Sequence, residues 1–393
     1  MNYRQVAVVA AALLIFAPGA ATHAAWALGQ EGVGDTPAQA GPLAADLSGA
    51  LTPADIAKAM RKVGDWQLAK ARNDFSQDWT FAALYRGFVA ASESLSEPRY
   101  KNAMVDVGRK FEWKPGPRET EADDQAIDYA YLSLYRRYRD PKMLEPTKAQ
   151  FDRIIQMPNV CTETCPDGHN QATPMWWWCD AFFMAPPVWA ELYSITGRKE
   201  YLDHLDSGWW VTSKLLYDPQ EHLYSRDATF LDKHEANGKK IFWSRGNGWV
   251  IAGLAEVLQE MPENYPSRPR YVAQFREMAA RLKSLQGADG LWRPGLLNGA
   301  AYPLPEVSGS AFYIYAMAWG MNHGILDRAE YTQVVQKGWA GLVSHVYADG
   351  RLGSIQPIGA APDAFKPQSS YVYGVGAFLM AGSELRQLTH GGK

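Results

Sequence analysis

Three short clusters in this chain hold side chains able to move a proton or grip an anion. The first is Asp180, which follows Trp176-Trp177-Trp178-Cys179 and leads into the apolar run from Ala181 to Trp189. A carboxylate in such surroundings loses the hydration its charged form needs, so its pKa rises toward the range where it gives and takes a proton near neutral pH. That is the behaviour of a general acid/base; the competing reading is a plain helix cap, a position aspartate favours. The second cluster is Ala122-Asp123-Asp124-Gln125, two adjacent carboxylates ahead of a helical pattern, one placed to cap it and the other to face a cavity. The third runs from Phe242 to Trp249 and sets Arg245 between Trp243 and Trp249, beside Gly246 and Gly248, which let a ligand approach the backbone. A planar guanidinium matches a carboxylate with two parallel hydrogen bonds, so this cluster reads as a grip for an acidic ligand. Its structural alternative is an Arg–Asp pair tying one loop to another.

Paired carboxylates among aromatics fit glycoside chemistry, in which one acid protonates while a second group handles the water. Aromatic faces also stack on sugars, although most of the 15 Trp and 20 Tyr must serve the core. Other enzyme classes lack their marks: there is no Walker-type loop, no Gly-x-Ser-x-Gly elbow and no His-Glu-x-x-His pair. Cys161, Cys165 and His169 are spaced four apart, but Pro166 and Gly168 spoil a shared helical face and no fourth ligand follows, so no metal or cofactor is expected. The two cysteines are close enough for a small-loop disulfide in an oxidising space, which leaves Cys179 as a buried thiol. A net charge of −3 with no basic block gives no footprint for a nucleic-acid partner.

The elements that must position these clusters are helices. Thr52-Pro53 starts the first, with Ile56, Met60 and Val63 on one face. Helical spacing recurs at Trp79 to Ser92, Asp123 to Tyr138, Glu200 to Leu216, Trp249 to Met261, Tyr271 to Gln286, Ser308 to Leu326, Thr332 to Val346 and Tyr371 to Leu388. From Asp218 to Lys240 the chain is polar, with an Asn237-Gly238 turn signal, and reads as a hairpin or a long site loop. Two segments repeat the pattern Ala-Asp-Gly, at Ala288-Asp289-Gly290 and Ala348-Asp349-Gly350, each followed by apolar residues. Such punctuation points to helical hairpins that bury their apolar faces only against one another.

The first residues stand apart from this pattern. Arg4, the apolar run Val6 to Phe16, Pro18-Gly19 and small residues around Ala24 and Ala27 form the pattern of an export signal over 1–27. Residues 28–50 read as a linker or mobile arm, and 51–393 as a single catalytic domain. The run is too short to span a bilayer and no later stretch does better, so the expectation is an exported, periplasmic or secreted monomer without stable membrane insertion.

The segments ADDQAIDYAYLSLY, MWWWCDAFFMAPPVWAELYSITGRKEYLD, FWSRGNGWVIAGLAEVL, EVSGSAFYIYAMAWGMNHGILD and YVYGVGAFLMAGSEL together resemble the unsaturated rhamnogalacturonyl hydrolases of glycoside hydrolase family 105, relatives of the family 88 unsaturated glucuronyl hydrolases. The resemblance runs from about Trp66 onward. It implies an all-α (α/α)6 barrel of six helical hairpins and an oligosaccharide partner whose non-reducing end is a 4,5-unsaturated uronic acid left by a lyase. It implies further that one aspartate protonates C4 of the enol ether and helps water, or a substrate hydroxyl, capture C5, so that the hemiketal collapses and releases the next sugar. By motif position Asp180 takes that role. Asp124 matches the family's second aspartate, with Asp123 next in line if the register is shifted by one. Arg245 and Trp249 match the uronate-binding motif with Trp243 beside them, and Trp178 is the expected aromatic wall, with Trp176 and Trp177 as the alternatives. Two departures bear on the substrate. Asp128 stands where many relatives have glycine, and Leu223 to Asp227 lacks a Tyr-His pair, so Arg226 or His222 is expected to supply that contact. The runner-up readings are a glycosidase or epimerase for saturated sugars on the same barrel, and a carbohydrate-binding protein with no catalysis.

Overall fold

A computed structural model describes residues 36–157 and 174–390. The export-signal region, Cys161, Cys165 and His169 lie outside the described residues. Among the described residues, twelve main helices alternate along the chain between an outer and an inner layer. The outer ones are α1 (Pro53–Ala71), α3 (Pro98–Lys110), α5 (Glu145–Ile154), α7 (Lys199–Leu216), α9 (Arg268–Ser284) and α11 (Arg328–Val343). The inner ones are α2 (Trp79–Leu95), α4 (Asp128–Tyr138), α6 (Pro186–Thr196), α8 (Ser244–Glu260), α10 (Val307–Asn322) and α12 (Val372–His390). Each inner helix packs on the next and α12 closes back on α2, so six helical hairpins form an (α/α)6 barrel.

Burial explains the layering. In α10 every residue from Val307 to Met321 is buried, the signature of a helix covered on all sides, whereas α3 buries only Tyr100, Met104, Val107 and Gly108 along one stripe. Where α2 crosses α12 the backbones touch: a Cβ on Gly87 would lie 2.5 Å from the Gly376 carbonyl oxygen, so no larger residue fits. Side chains fix the starts of several helices. Thr52 accepts from Asp55 N, Asp78 from Thr80 N and Asp327 from Ala329 N, each satisfying a backbone donor that the helix leaves open.

Two regions differ from the expected layout. The helices Pro98–Lys110 and Glu145–Ile154 carry mostly polar sequence and give only a narrow apolar stripe. Of the expected linker, residues 36–50 lie along the barrel: Ala44 N bonds Val346 O at 2.9 Å, and Ala348 N bonds Pro42 O at 2.9 Å. Both Ala-Asp-Gly segments form one kind of turn. Asp289 accepts from Leu291 N and Asp349 from Arg351 N, while Gly290 (φ 84°) and Gly350 (φ 104°) take the left-handed backbone that glycine allows. No helix among the described residues is long and apolar enough to cross a membrane.

Candidate active site

The residues just before each inner helix, or in its first turn, meet at one end of the bore. They include Asp78 before α2, Asp123 and Asp124 ahead of α4, Asp180 ahead of α6, Arg245 in α8, Glu306 before α10, and Tyr371 and Tyr373 at α12. Asp180 is set by two connections to the 225–230 loop. Cys179 N bonds the Arg226 carbonyl at 2.8 Å, and Trp178 bridges to Asp227. Asp180 does not cap: it precedes the short turn Ala181–Met184 with helical backbone angles and no side-chain cap bond. Its one side-chain hydrogen bond among the described residues comes from Cys179 Sγ, 3.4 Å from Oδ2.

Packed by protein yet partly open to the cleft, the Asp180 carboxyl has a raised pKa because burial penalises its charge. The Arg226 guanidinium, then that of Arg245, then the Cys179 thiol pull it back down. Asp123 is also partly open and lies well above the usual carboxylate range. Burial does most of this and Glu121 adds to it; Arg118 opposes, while Asp180 and Asp78 contribute like charge. Asp123 and Asp180 therefore feel each other across the cleft, and one of them holds a proton more readily for the other's presence.

Asp124 is placed otherwise than the motif match implied. Its carboxylate is buried and held by Arg118, whose backbone N donates at 2.7 Å and whose Nη2 donates at 2.7 Å. The short helix Ala122–Gln125 ends before α4 begins, so the two neighbouring aspartates point to different partners, and Asp123 is the one coupled to Asp180.

Arg245 also departs from the expected open grip. It is 0% exposed, it donates to the carbonyls of Gln356 (2.6 Å) and Pro357 (2.8 Å), and its guanidinium lies against the rings of Trp243 and Tyr373. It ties one loop to another, but through carbonyls and not through an aspartate. Gly246 and Gly248 serve packing, since a Cβ there would meet Cys179 Sγ at 3.0 Å and Gly309 Cα at 3.2 Å. Trp249 is 0% exposed and wedged among Trp79, Phe183 and Phe312. Trp243 gives its indole N–H to Gln356 Oε1 at 2.9 Å and is buried, as is Trp178. His222 sits on the turn of the small hairpin formed by Tyr217–Asp218 and Leu223–Tyr224, against Tyr217 and Glu277.

Arg226 is a partly accessible cation beside Asp180. Its side chain is 23% exposed, pairs with Asp227 through Nη1 at 2.6 Å and lies over the Trp177 ring. Partly exposed rings at this end are Trp177, Trp79 and Tyr371, the last two both stacked on the buried Tyr373. Ser369 and Ser370, just before α12, are buried with unpartnered hydroxyls, and Ser369 O accepts from Ile355 N beside Gln356. Asp78, Trp79 and these serines belong to no motif that marks them in the sequence. The signal that finds them is position: each stands at the start of an inner helix. Among the described residues no group of three His, Cys, Asp or Glu side chains is arranged to hold a metal ion.

The chain is similar to known proteins. A family model described as Glycosyl Hydrolase Family 88 matches residues 55–389. The chain is 40% identical over 347 residues to the unsaturated 3S-rhamnoglycuronyl hydrolase of Formosa agariphila, covering 86% of this chain and 92% of the relative. It superposes on a solved glycosyl hydrolase family 88 protein from Bacteroides vulgatus with a TM-score of 0.79 at 28% identity, covering 86% of this chain and 99% of the other. A solved structure described as a polysaccharide lyase matches with a TM-score of 0.78 at 30% identity, covering 84% of this chain and 96% of that one.

Proposed function

The chain belongs to glycosyl hydrolase family 88, and from that premise we propose that it removes a 4,5-unsaturated uronic acid from the non-reducing end of oligosaccharides produced by a lyase, with Asp180 as the proton donor. The observation that carries this is a half-buried carboxyl with a raised pKa, flanked by two guanidinium groups that make no direct bond to it. An acid kept from full neutralisation beside a cationic patch suits a substrate that brings its own carboxylate next to the reacting double bond.

The substrate's charge supports the chemistry. Its carboxylate, received by the partly exposed Arg226, offsets the cationic field that lowers the Asp180 pKa and adds a like charge nearby. Binding therefore favours the protonated form of Asp180 at the moment it is needed. The proton goes to C4 as the C4–C5 π bond breaks, leaving C5 and the ring oxygen to share positive charge. Water adds to C5 and its proton passes to the Asp180 carboxylate, restoring the acid. The C5 hemiketal then opens to a ketone, and the hemiacetal so exposed at C1 releases the next sugar. Asp123 faces Asp180 and is assigned to the water or to the sugar hydroxyls, in place of Asp124. Arg245 is a positioning residue that holds the 356–357 backbone and sets the field at Asp180. Trp177 and Trp79 offer ring faces for stacking.

Export is part of the same proposal, supported by the basic start, apolar run and small residues of 1–27. The test is the ultraviolet absorbance of the conjugated enol ether in lyase-digested polysaccharide. The proposal requires that absorbance to fall as enzyme is added. A rise would mark elimination, the reaction of a lyase, and sugar release at constant absorbance would mark hydrolysis of a saturated glycoside.

A further inference from the structure

The side chain just ahead of Asp180 exchanges no proton in the reaction, yet it touches the acid that does. Cys179 is buried and its sulfur is confined. The Cys179 backbone N is tied to the Arg226 carbonyl at 2.8 Å, and a Cβ on Gly246 would come within 3.0 Å of Sγ, so the sulfur fills the space that this glycine leaves. From there the thiol donates to Asp180 Oδ2 at 3.4 Å. No other side chain among the described residues bonds that carboxyl, and Asp180 is partly open to the cleft. Burial, reinforced by the Asp180 charge, pushes the thiol well above its ordinary range, so it stays S–H and remains a donor.

A carboxylic acid has two oxygens and one proton. Its carbonyl oxygen is the better acceptor, so a donor fixed on Oδ2 places the proton on Oδ1. Donor strength matters as well. A thiol is a weak donor, and it orients the carboxyl without holding it ionised as a hydroxyl or a guanidinium in the same place would.

We propose that Cys179 is a positioning residue: its thiol keeps Oδ2 of Asp180 as an acceptor and leaves Oδ1 as the oxygen that delivers the proton to C4. This role presupposes the function proposed above. In the transfer the Oδ1–H bond breaks and its electron pair stays on the carboxylate, while the π pair forms the C4–H bond. A proton of the added water later returns to Oδ1, and the thiol neither gains nor loses one.

The test is the pH profile of kcat/KM for absorbance loss in Cys179→Ala and Cys179→Ser. Both variants remove the sulfur and share its packing loss. The charged and titratable groups that face the pair are Arg226, Asp227 and Tyr224 from the hairpin and its loop, Arg245 from α8, Tyr313 from α10 and Asp123 ahead of α4; all are unchanged in both variants. With no donor the ionised carboxylate is less favoured, so Cys179→Ala moves the alkaline limb to higher pH and lowers kcat roughly two- to fivefold, the scale of one modest hydrogen bond. A hydroxyl donates more strongly, so Cys179→Ser moves the limb to lower pH and keeps kcat within about twofold of wild type. Should the alanine variant fail to fold in a thermal melt, Cys179→Val fills the space without a donor and carries the same expectation. A limb displaced the same way by both variants, or by neither, overturns the role of the thiol while leaving the function standing. Wild-type enzyme that causes no absorbance loss overturns the function itself.

Discussion

The two ends of the barrel's bore hold the same kinds of group and arrange them differently. At the far end, near the C-termini of the inner helices, a cavity of about 440 Å³ is lined from all six of them, with Arg86, Arg136, Glu191, Glu256 and Glu260 among its walls. There guanidinium meets carboxylate directly: Arg86 bonds Glu256, and Arg136 bonds Glu191 at 2.9 Å and Glu260 at 2.5 Å. At the Asp180 end Arg118 bonds Asp124, Arg226 bonds Asp227 and Arg245 bonds two carbonyls, so none of the three bonds Asp180. Asp180 receives the field of Arg226 and Arg245 but not their hydrogen bonds. Direct pairing commits a carboxylate's oxygens to fixed protein partners; a field without pairing leaves the Asp180 carboxyl open to a substrate.

The largest expected consequence is at Asp180. Asp180→Asn should cut the rate of absorbance loss by ~10²-fold or more, with substrate affinity largely kept, because a general acid/base contributes on that scale; retention of a tenth of the wild-type rate would count against its role. The matching change at the other end is Arg86→Met, which strands the buried Glu256. It should lower stability by about 3–5 kcal/mol in denaturant titration, with kcat of the folded fraction little changed. Equal damage to activity and stability at both ends would erase the contrast.

Smaller effects sharpen it. Arg226→Ala should raise KM by roughly ten- to a hundredfold through loss of a charged hydrogen bond, with kcat less affected. Arg245→Met removes an influence that lowers the Asp180 pKa, so the alkaline limb of kcat/KM should move to higher pH. A purely structural Arg245 would reduce the profile's height without moving its limb. The slightest effect belongs to the far end. Burial pushes Glu191 up to about 8 despite Arg136, and Glu256 to about 7 despite Arg86. Both folded-state values exceed the ordinary carboxylate value, so the folded protein binds protons that the unfolded chain has released. Its stability should fall as pH rises from about 4.5 to about 8. Glu191→Gln should flatten that slope in Tm measured against pH, and an unchanged slope would assign it to other groups.

Asp180 was legible in the sequence because a single acid in a long apolar run costs folding energy that a purely structural role rarely repays. The helix pairs were legible because their apolar spacing is strong. The choice between Asp123 and Asp124 was not, because it turns on a break between Gln125 and Asp128 and on Arg118, which reaches Asp124 from a loop. Only three residues separate His222 from Arg226, yet a turn with φ 54° at His222 leaves it on the outer hairpin beside Glu277, while Arg226 is carried to Asp180 by the Cys179 bond. Arg245 and Trp249 carry a polar-looking motif whose burial comes from α10 and the 356–357 segment, both distant in the chain. The weakly apolar α3 and α5 escaped notice because an outer helix has only one face to hide.

Turnover of an unsaturated uronyl disaccharide in D₂O, followed by NMR at early times before the new ketone exchanges its neighbouring hydrogens, tests the central claim most directly. Delivery of an exchangeable proton from a carboxyl to the enol ether predicts deuterium at C4 of the released uronate and loss of its double bond. Release of the uronate with the C4–C5 double bond intact and no deuterium would contradict it.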